Sequence, residues 1–270
     1  MWHFALGDAS KMKKDLVPLF LFAAFPVFLI GRCIFSQTAA EGSAKDPTAR
    51  AEQLVVVRTP GWDAAAGTLT LYERSRLGET WTRVGEPCDV NVGSAGLAWG
   101  LGLHGGVLDG GPEKLEGDNR SPAGAYSLSS VFGYAPRAGM GLLKMPYLEV
   151  TSSCQCVDDV HSRYYNLVLD SLSVDHADWI SHERMRPPKG DWYKWGIVID
   201  QNTNPREAGR GSCIFLHVSE GRGIPTSGCT AMDEDRIVAL IRWLDAGKHP
   251  VLVQLPDSEY VQLKPRWQLP

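Results

Sequence analysis

The segment Ser212-Cys213-Ile214-Phe215-Leu216-His217-Val218 is followed, after a loop holding Gly221, Gly223 and Pro225, by Thr226-Ser227-Gly228-Cys229-Thr230-Ala231-Met232. Successive side chains of a strand point to opposite faces, so Cys213, Phe215 and His217 share one face and Ile214, Leu216 and Val218 the other. His217 ends the strand, facing a turn. The loop glycines let the chain double back and set Cys229 beside His217, and Gly228 lets the backbone approach a ligand closely. A cysteine paired with a histidine is the arrangement of an acyl-transfer nucleophile and its base. A buried cysteine alone is more often a small hydrophobe; the histidine at this spacing, with glycine before the cysteine, is what points to catalysis.

Downstream, Asp233 to Asp245 predicts a helix, with Ile237, Val238, Leu240, Ile241 and Leu244 on one stripe, acidic residues in the first turn and Gly247 just past the end. A cysteine ahead of a helix N-terminus gains thiolate stabilisation from a dipole of roughly half a charge. Asp233, Glu234 and Asp235 oppose that gain, which leaves His217 to supply the balance. Leu54 to Val57, Thr68 to Tyr72, Trp81 to Val84, Gly196 to Asp200 and Pro250 to Leu255 are short β-branched or aromatic runs between Gly, Pro and Asp, the pattern of antiparallel strands. The expected fold class is therefore mainly β, with one helix after the candidate nucleophile. Gly93 to Gly124 and Val131 to Met145 are longer than the loops of a compact domain unless they line a site. No glycine-rich phosphate loop or dinucleotide fingerprint occurs, so no cofactor is expected.

The chain has 270 residues, with 27 Lys and Arg against 31 Asp and Glu, a net charge of −4. The length fits one domain, or one domain with a small appendage, and the acidity argues against nucleic acid as a partner, because backbone recognition requires a basic face. Residues 1–40 read as a secretory signal. Lys11, Lys13 and Lys14 precede the uncharged stretch from Leu16 to Ile30, and Thr38-x-Ala40 fits a cleavage step. The alternative is a retained anchor, but about 20 apolar residues are needed to span a bilayer, and Pro18 and Pro26 interrupt this stretch. Membrane contact is expected only transiently, through this leader. Residues 41–53 read as a tether, 54–255 as the folded domain and 256–270 as a C-terminal tail. Without the leader the net charge is −6, and five cysteines (Cys88, Cys154, Cys156, Cys213 and Cys229) enter an oxidising compartment where thiols tend to pair. An odd number leaves at least one thiol free.

The His217 and Thr226-Ser227-Gly228-Cys229 elements resemble the catalytic domain of the L,D-transpeptidases, the YkuD-type enzymes that remodel bacterial peptidoglycan. The family pattern is a histidine, a glycine-containing loop, then Ser/Thr-His-Gly-Cys followed two residues later by Arg or Asn. His217, Thr226, Gly228 and Cys229 match it. A second family element, Ser/Thr-Pro-x-Gly-x-aromatic, is matched by Ser121-Pro122-Ala123-Gly124-Ala125-Tyr126. Two departures stand out: Ser227 occupies the place of a second histidine, and Ala231 that of the Arg or Asn. Gly-Cys-Thr-Ala-Met marks a divergent branch of secreted relatives. The resemblance covers roughly residues 54 to 255 and implies a β-sandwich-like catalytic domain, located in the periplasm or cell envelope.

What the resemblance implies chemically is attack by Cys229 on the L,D-peptide bond of a peptidoglycan stem peptide. His217 then acts as base, and the Gly228-Cys229 amides hold the oxyanion. The thioester passes to an amine, giving a 3-3 cross-link, or to water, giving an L,D-carboxypeptidase or amidase. A non-catalytic wall-binding domain is the reading from another class. Ser227 is a candidate orienting hydroxyl or simply a turn residue. His104, Arg120 and Tyr126 are candidate substrate contacts, Arg120 as a replacement for the cation missing at Ala231, and Ser121 to Tyr126 shape the site rather than react.

The segment from Cys156 to Asn166 reads as a loop capping the cleft or as solvated surface. Cys154-x-Cys156 with His161 lacks the rest of a zinc ligand pattern, so no metal is expected. Cysteines two apart in a strand bridge only with strain, which disfavours Cys154 with Cys156; Cys156 with Cys213 is the preferred pairing, and whether Cys88 and Cys154 pair stays open.

Overall fold

A computed structural model describes residues 46–270, so the leader expected over residues 1–40 lies outside the described residues. The strands, in chain order, are β1 (Gln53–Thr59), β2 (Ala66–Glu73), β3 (Thr82–Asn91), β4 (Leu97–Trp99), β5 (Ser121–Gly133), β6 (Tyr147–Glu149), β7 (Cys154–Val157), β8 (Val168–Asp170), β9 (His182–Arg184), β10 (Trp195–Ile199), β11 (Phe215–Val218), β12 (Thr230–Met232) and β13 (Val251–Pro256). Helix α1 (Glu234–Trp243) follows β12, and α2 (Asp257–Leu263) follows β13. The mainly β expectation holds, with a helix after Cys229.

Pairing runs β10-β11-β12-β3-β2-β1-β13-β5, and β5 pairs back onto β10, so these eight strands close into a ring. Closure depends on the length of β5. Its residues Gly124 to Ser127 pair with β13 and its residues from Leu128 to Gly133 with β10, while its two ends add β4 and β6 in parallel. A closed sheet leaves no unpaired edge.

The order of strands also explains burial. β1 runs parallel to β13 between β2 and β5, and Leu54 to Val57 and Val251 to Leu255 are buried on both faces. One face lies against the other strands; over the other, α2 packs on β13 and β1. The predicted stripe of α1 packs as expected, with Ile237, Leu240, Ile241 and Leu244 in the main core. Asp233 precedes its first turn, and Glu234 and Asp235 complement the helix dipole.

The folded region is wider than residues 54–255. Residues 46–53 do not hang free as a tether: Thr48 Oγ1 donates to the Trp267 carbonyl at 3.1 Å, and the Arg74 guanidinium holds the Thr48 and Ala51 carbonyls. Nor is 256–270 a loose tail, because Tyr260, Leu263, Trp267 and Leu269 are all buried in the main core. Polar composition hides this packing, since hydrogen bonds anchor the N-terminal end and a few large apolar groups the C-terminal one. Trp267→Ala is expected to cost about 3–5 kcal/mol through lost burial and the cavity left behind. The check is the denaturant midpoint, which should fall clearly while the slope stays near wild type.

A separate three-stranded antiparallel sheet, β8-β7-β9, lies off the ring. A disulfide joins its Cys156 to Cys213, two residues before β11. Around it a second apolar cluster gathers Phe132, Val150, Cys154, Met185, Tyr193, Phe215 and Cys229. Cys88, Cys154 and Cys229 remain free thiols.

Candidate active site

Strands β11 and β12 run parallel, with Leu216 opposite Thr230 and His217 opposite Ala231. Continuing the register puts Phe215 level with Cys229, and the Phe215 N–H donates to the Cys229 sulfur at 3.4 Å. The thiol itself donates to the Cys213 carbonyl at 3.5 Å. That carbonyl is aimed by backbone conformation. Cys213 sits at φ 57°, its N–H held by Asn166 Oδ1 at 3.0 Å and its side chain by the bridge to Cys156. Alternation along the strand follows the sequence pattern, with Ile214 and Leu216 in the main core and Cys213 and Phe215 at the second cluster.

The turn before Cys229 is built from short polar side chains. Thr226 Oγ1 accepts the Gly228 N–H at 3.1 Å and donates to the Cys229 carbonyl at 2.5 Å. The same carbonyl accepts the Ser121 hydroxyl at 2.7 Å, and Ser121 Oγ also accepts the Gly93 N–H at 2.8 Å. Gly228 has φ 152°, and a Cβ there would lie 3.2 Å from the Arg120 carbonyl, so the position requires glycine. The first residue of the Ser121–Tyr126 motif thus shapes the nucleophile turn directly.

Cys229 and His217 line one cavity of about 330 Å³, together with Ser227, Gly228 and Ala231. His217 Nδ1 lies 2.8 Å from the Val218 carbonyl. A carbonyl only accepts, so Nδ1 carries the proton and Nε2 keeps its lone pair for a proton acceptor's role. Burial pulls the imidazole down to about 4, against a weaker opposing effect of the Val218 bond. Burial also pushes the Cys229 thiol up to about 12, with the Phe215 N–H opposing. Both shifts disfavour charge. Near neutral pH the pair is therefore a neutral thiol and a neutral imidazole.

The dipole expected from α1 is not at the sulfur, because β12 intervenes and the helix begins only at Glu234. Instead the sulfur feels Lys114, which eases its ionisation, and Glu183, which opposes it. Lys114 is buried, its ammonium 2.6 Å from Asp118 and 2.7 Å from the Leu115 carbonyl. Asp158, Glu183 and Glu220 line the cavity with it, so carboxylates predominate there. The segment from Cys156 to Asn166 contributes Asp158 to this wall. Tyr193 lines the cavity beside the pair, its ring meeting the His217 ring edge-on at 5.2 Å.

Three residues expected at the substrate lie elsewhere. His104 is buried among Trp99, Tyr126 and Trp267. It accepts the Ala125 N–H at Nδ1 (3.1 Å), so its Nε2–H donates to the Gly100 carbonyl at 3.1 Å. A Cβ at Gly124 would meet the His104 ring at 2.1 Å, which makes this glycine part of the same packing. Tyr126 is fully buried and donates to the Ala123 carbonyl at 2.5 Å. Both are core residues, because burying an aromatic ring there outweighs any pull of its polar atom toward solvent. Arg120 turns away as well, its guanidinium on Asp63 at 2.7 Å and the Leu97 carbonyl at 2.9 Å. It ties down the loop after β1 and does not replace the cation missing at Ala231; Lys114 is the cation at the cavity.

Ser227 lines the cavity but, among the described residues, hydrogen-bonds neither Cys229 nor His217. The Gly228 N–H is engaged by Thr226, which leaves the Cys229 amide as the backbone oxyanion candidate. Tyr193, Glu183 and Lys114 carry no sequence signal, since each comes from a separate part of the chain. No protein-family model matches the chain, and comparison with curated proteins and with solved structures returns no match.

Proposed function

We propose that this chain is an exported cysteine acyltransferase of the L,D-transpeptidase type, acting on peptidoglycan stem peptides and built on that family's β-sandwich-like fold. The observation that carries the reading is Cys229, immediately before β12, and His217, on the adjacent parallel β11, both open to one cavity, with Nε2 of His217 left unprotonated by its Val218 bond. Export is supported by the basic-then-apolar leader and by the Cys156–Cys213 bridge, which persists in an oxidising compartment.

Cys229 attacks the carbonyl of the L,D-peptide bond as His217 takes the thiol proton. Negative charge develops on the carbonyl oxygen, against the Cys229 amide. His217 then gives its proton to the departing amine, and a thioester remains on Cys229. An amine of a second stem, in its neutral form, attacks the thioester; His217 takes the proton from its nitrogen and passes it to the departing sulfur, which restores the thiol. The carboxylates of Asp158, Glu183 and Glu220 around the cavity favour approach of a cationic amine over a neutral acceptor.

Incubation with a carbapenem should add the drug's mass to the peptide holding Cys229, and to no other cysteine peptide. A protein that takes up no drug is a binding domain rather than an enzyme. Muropeptide digests treated with the purified protein should then gain 3-3 cross-linked dimers. Trimmed monomers without dimers would turn the assignment to a hydrolase of the same site.

A further inference from the structure

Asn166, Asn202 and Cys213, joined by hydrogen bonds, all hold left-handed backbone, at φ 59°, 53° and 57°. Asparagine visits this region because its short polar side chain bonds locally. Cysteine does so only where its surroundings over-determine the conformation. Asn166 is the hub of those surroundings. Its Nδ2 donates to the Gln201 carbonyl at 2.9 Å and to the Asn202 carbonyl at 2.7 Å, which turns its Oδ1 to the Cys213 N–H at 3.0 Å. Asn202 is braced in turn, its Nδ2 donating to the Glu207 and Gly211 carbonyls at 2.8 and 3.0 Å. The residues before Asn166 and Cys213 are tied as well, since the Tyr165 and Ser212 hydroxyls both donate to Glu116 Oε2, at 2.5 and 2.8 Å. With its side chain fixed by the bridge to Cys156, Cys213 presents its carbonyl in a set direction, where it accepts the Cys229 S–H at 3.5 Å.

We propose that Asn166 is a positioning residue of the nucleophile: through the Cys213 peptide it latches Cys229 as a neutral thiol until substrate arrives. The inference rests on Cys229 being the nucleophile of the proposed function. A carbonyl only accepts, so its bond exists with the thiol and turns to repulsion with the thiolate. The Phe215 N–H, 3.4 Å from the same sulfur, does the reverse and serves the charged form. Cys229 is thus held between an acceptor that favours its proton and a donor that favours its charge, both supplied by residues 213–215. In the oxidising compartment of the proposed function a resting thiolate would be lost to oxidants and stray disulfides, because the thiolate is the reactive form. The latch holds that form back, and His217 releases it by taking the proton when a carbonyl is in place.

Asn166 acts on the sulfur through Cys213 alone. It carries no charge and does not line the cavity, whereas Cys213 does. Lys114, Glu183, Tyr193 and His217 line that cavity with Cys229, and among the described residues none of them hydrogen-bonds Asn166. Replacing Asn166 by another neutral residue therefore leaves every charge around the sulfur in place.

Asn166→Gly keeps the left-handed backbone free of strain and deletes the amide. Iodoacetamide labelling of the full chain near neutral pH, followed by mass spectrometry of each cysteine peptide, reads thiolate availability without any substrate. In Asn166→Gly it should run about fivefold faster at Cys229, the size of one neutral hydrogen bond. Cys154 is the internal control: it is a buried free thiol of the same apolar cluster, and its sulfur bonds Thr151 and Glu149 rather than Cys213. Its labelling should hold at the wild-type rate. The S–H stretching band of Cys229, taken as the infrared difference against Cys229→Ala, should move to higher frequency as the carbonyl bond is lost. Asn166→Asp keeps an acceptor for the Cys213 N–H and should label Cys229 at a rate between wild type and Asn166→Gly.

A wild-type labelling rate at Cys229 in Asn166→Gly, or an unmoved S–H band, overturns the proposal. Labelling of Cys154 that rises in step with Cys229 also overturns it, because the substitution would then open the cluster rather than release the latch. Asn166→Asp labelling as fast as Asn166→Gly counts against it in the same way. Failure of the acyltransferase reading would instead show as these same shifts in a protein that takes up no carbapenem.

Discussion

Cys229→Ala is expected to abolish turnover of stem peptides, a loss of about four orders of magnitude or more, with no residual carbapenem adduct. The nearest hydroxyls of the turn are engaged, since Ser121 and Thr226 both donate to the Cys229 carbonyl. The fold should survive the change. Alanine removes one sulfur from the second apolar cluster and leaves the Phe215 N–H without its acceptor, a cost of about 1–3 kcal/mol. A circular dichroism spectrum and melting profile close to wild type, together with absent activity, is the outcome that isolates chemistry from folding. Retention of most activity would remove Cys229 from the mechanism.

His217→Ala is expected to lower kcat/KM by about a thousandfold, within the range general acid–base catalysis supplies. The neutral resting pair makes this loss large, because the thiol held up at about 12 supplies almost no thiolate near neutral pH without a base to take its proton. The acid limb of the wild-type profile should lie near 4, where burial has moved the imidazole, rather than near its ordinary 6.5. Above that pH the base is free; below it, protonation closes the reaction.

Stability follows the same sign. The unfolded chain binds the proton near 6.5 and the folded chain only near 4. Acidification through that window therefore favours unfolding, by up to about 3 kcal/mol. The alanine variant should lack that component, so the gap between wild-type and variant melting temperatures should change steadily from pH 6.5 to 4 in favour of the variant. A gap that stays constant across the window would mean that His217 titrates normally.

Much of the ring was legible because its strands carry their own pattern. β1 and β13 are dense in Val and Leu, and α1 shows its stripe, so local propensity and final burial agree. β5 is different. Ser121-Pro122-Ala123-Gly124-Ala125-Tyr126-Ser127 is small and polar, and it reads as loop because the small side chains that permit close packing by His104 and the Cys229 turn are also those with low strand propensity. The strand that closes the ring is for that reason the one least visible in sequence.

At the site, Cys229 and His217 were legible because one strand, one loop and one strand hold both within a short span. Arg120, His104 and Tyr126 were misplaced because residue type reveals chemical capacity but not direction. Arg120 has a carboxylate in Asp63, and His104 has two backbone partners, so neither needs the cavity. Tyr193 and Glu183 went unseen for the opposite reason: ordinary residues in ordinary surroundings, brought to the cavity wall only by the fold.

The Cys156–Cys213 bridge also makes a closed covalent circuit of the chain between its ends, and β8, β9, Tyr193 and β10 all lie on that circuit. Leu172 and Ile180, among the most exposed large side chains, mark a stretch of it open to proteases. A single cut there opens the circuit without separating its parts, since each new end remains bonded to the rest through the bridge. The nicked chain would thus keep both halves of the wall around Cys229 in one molecule.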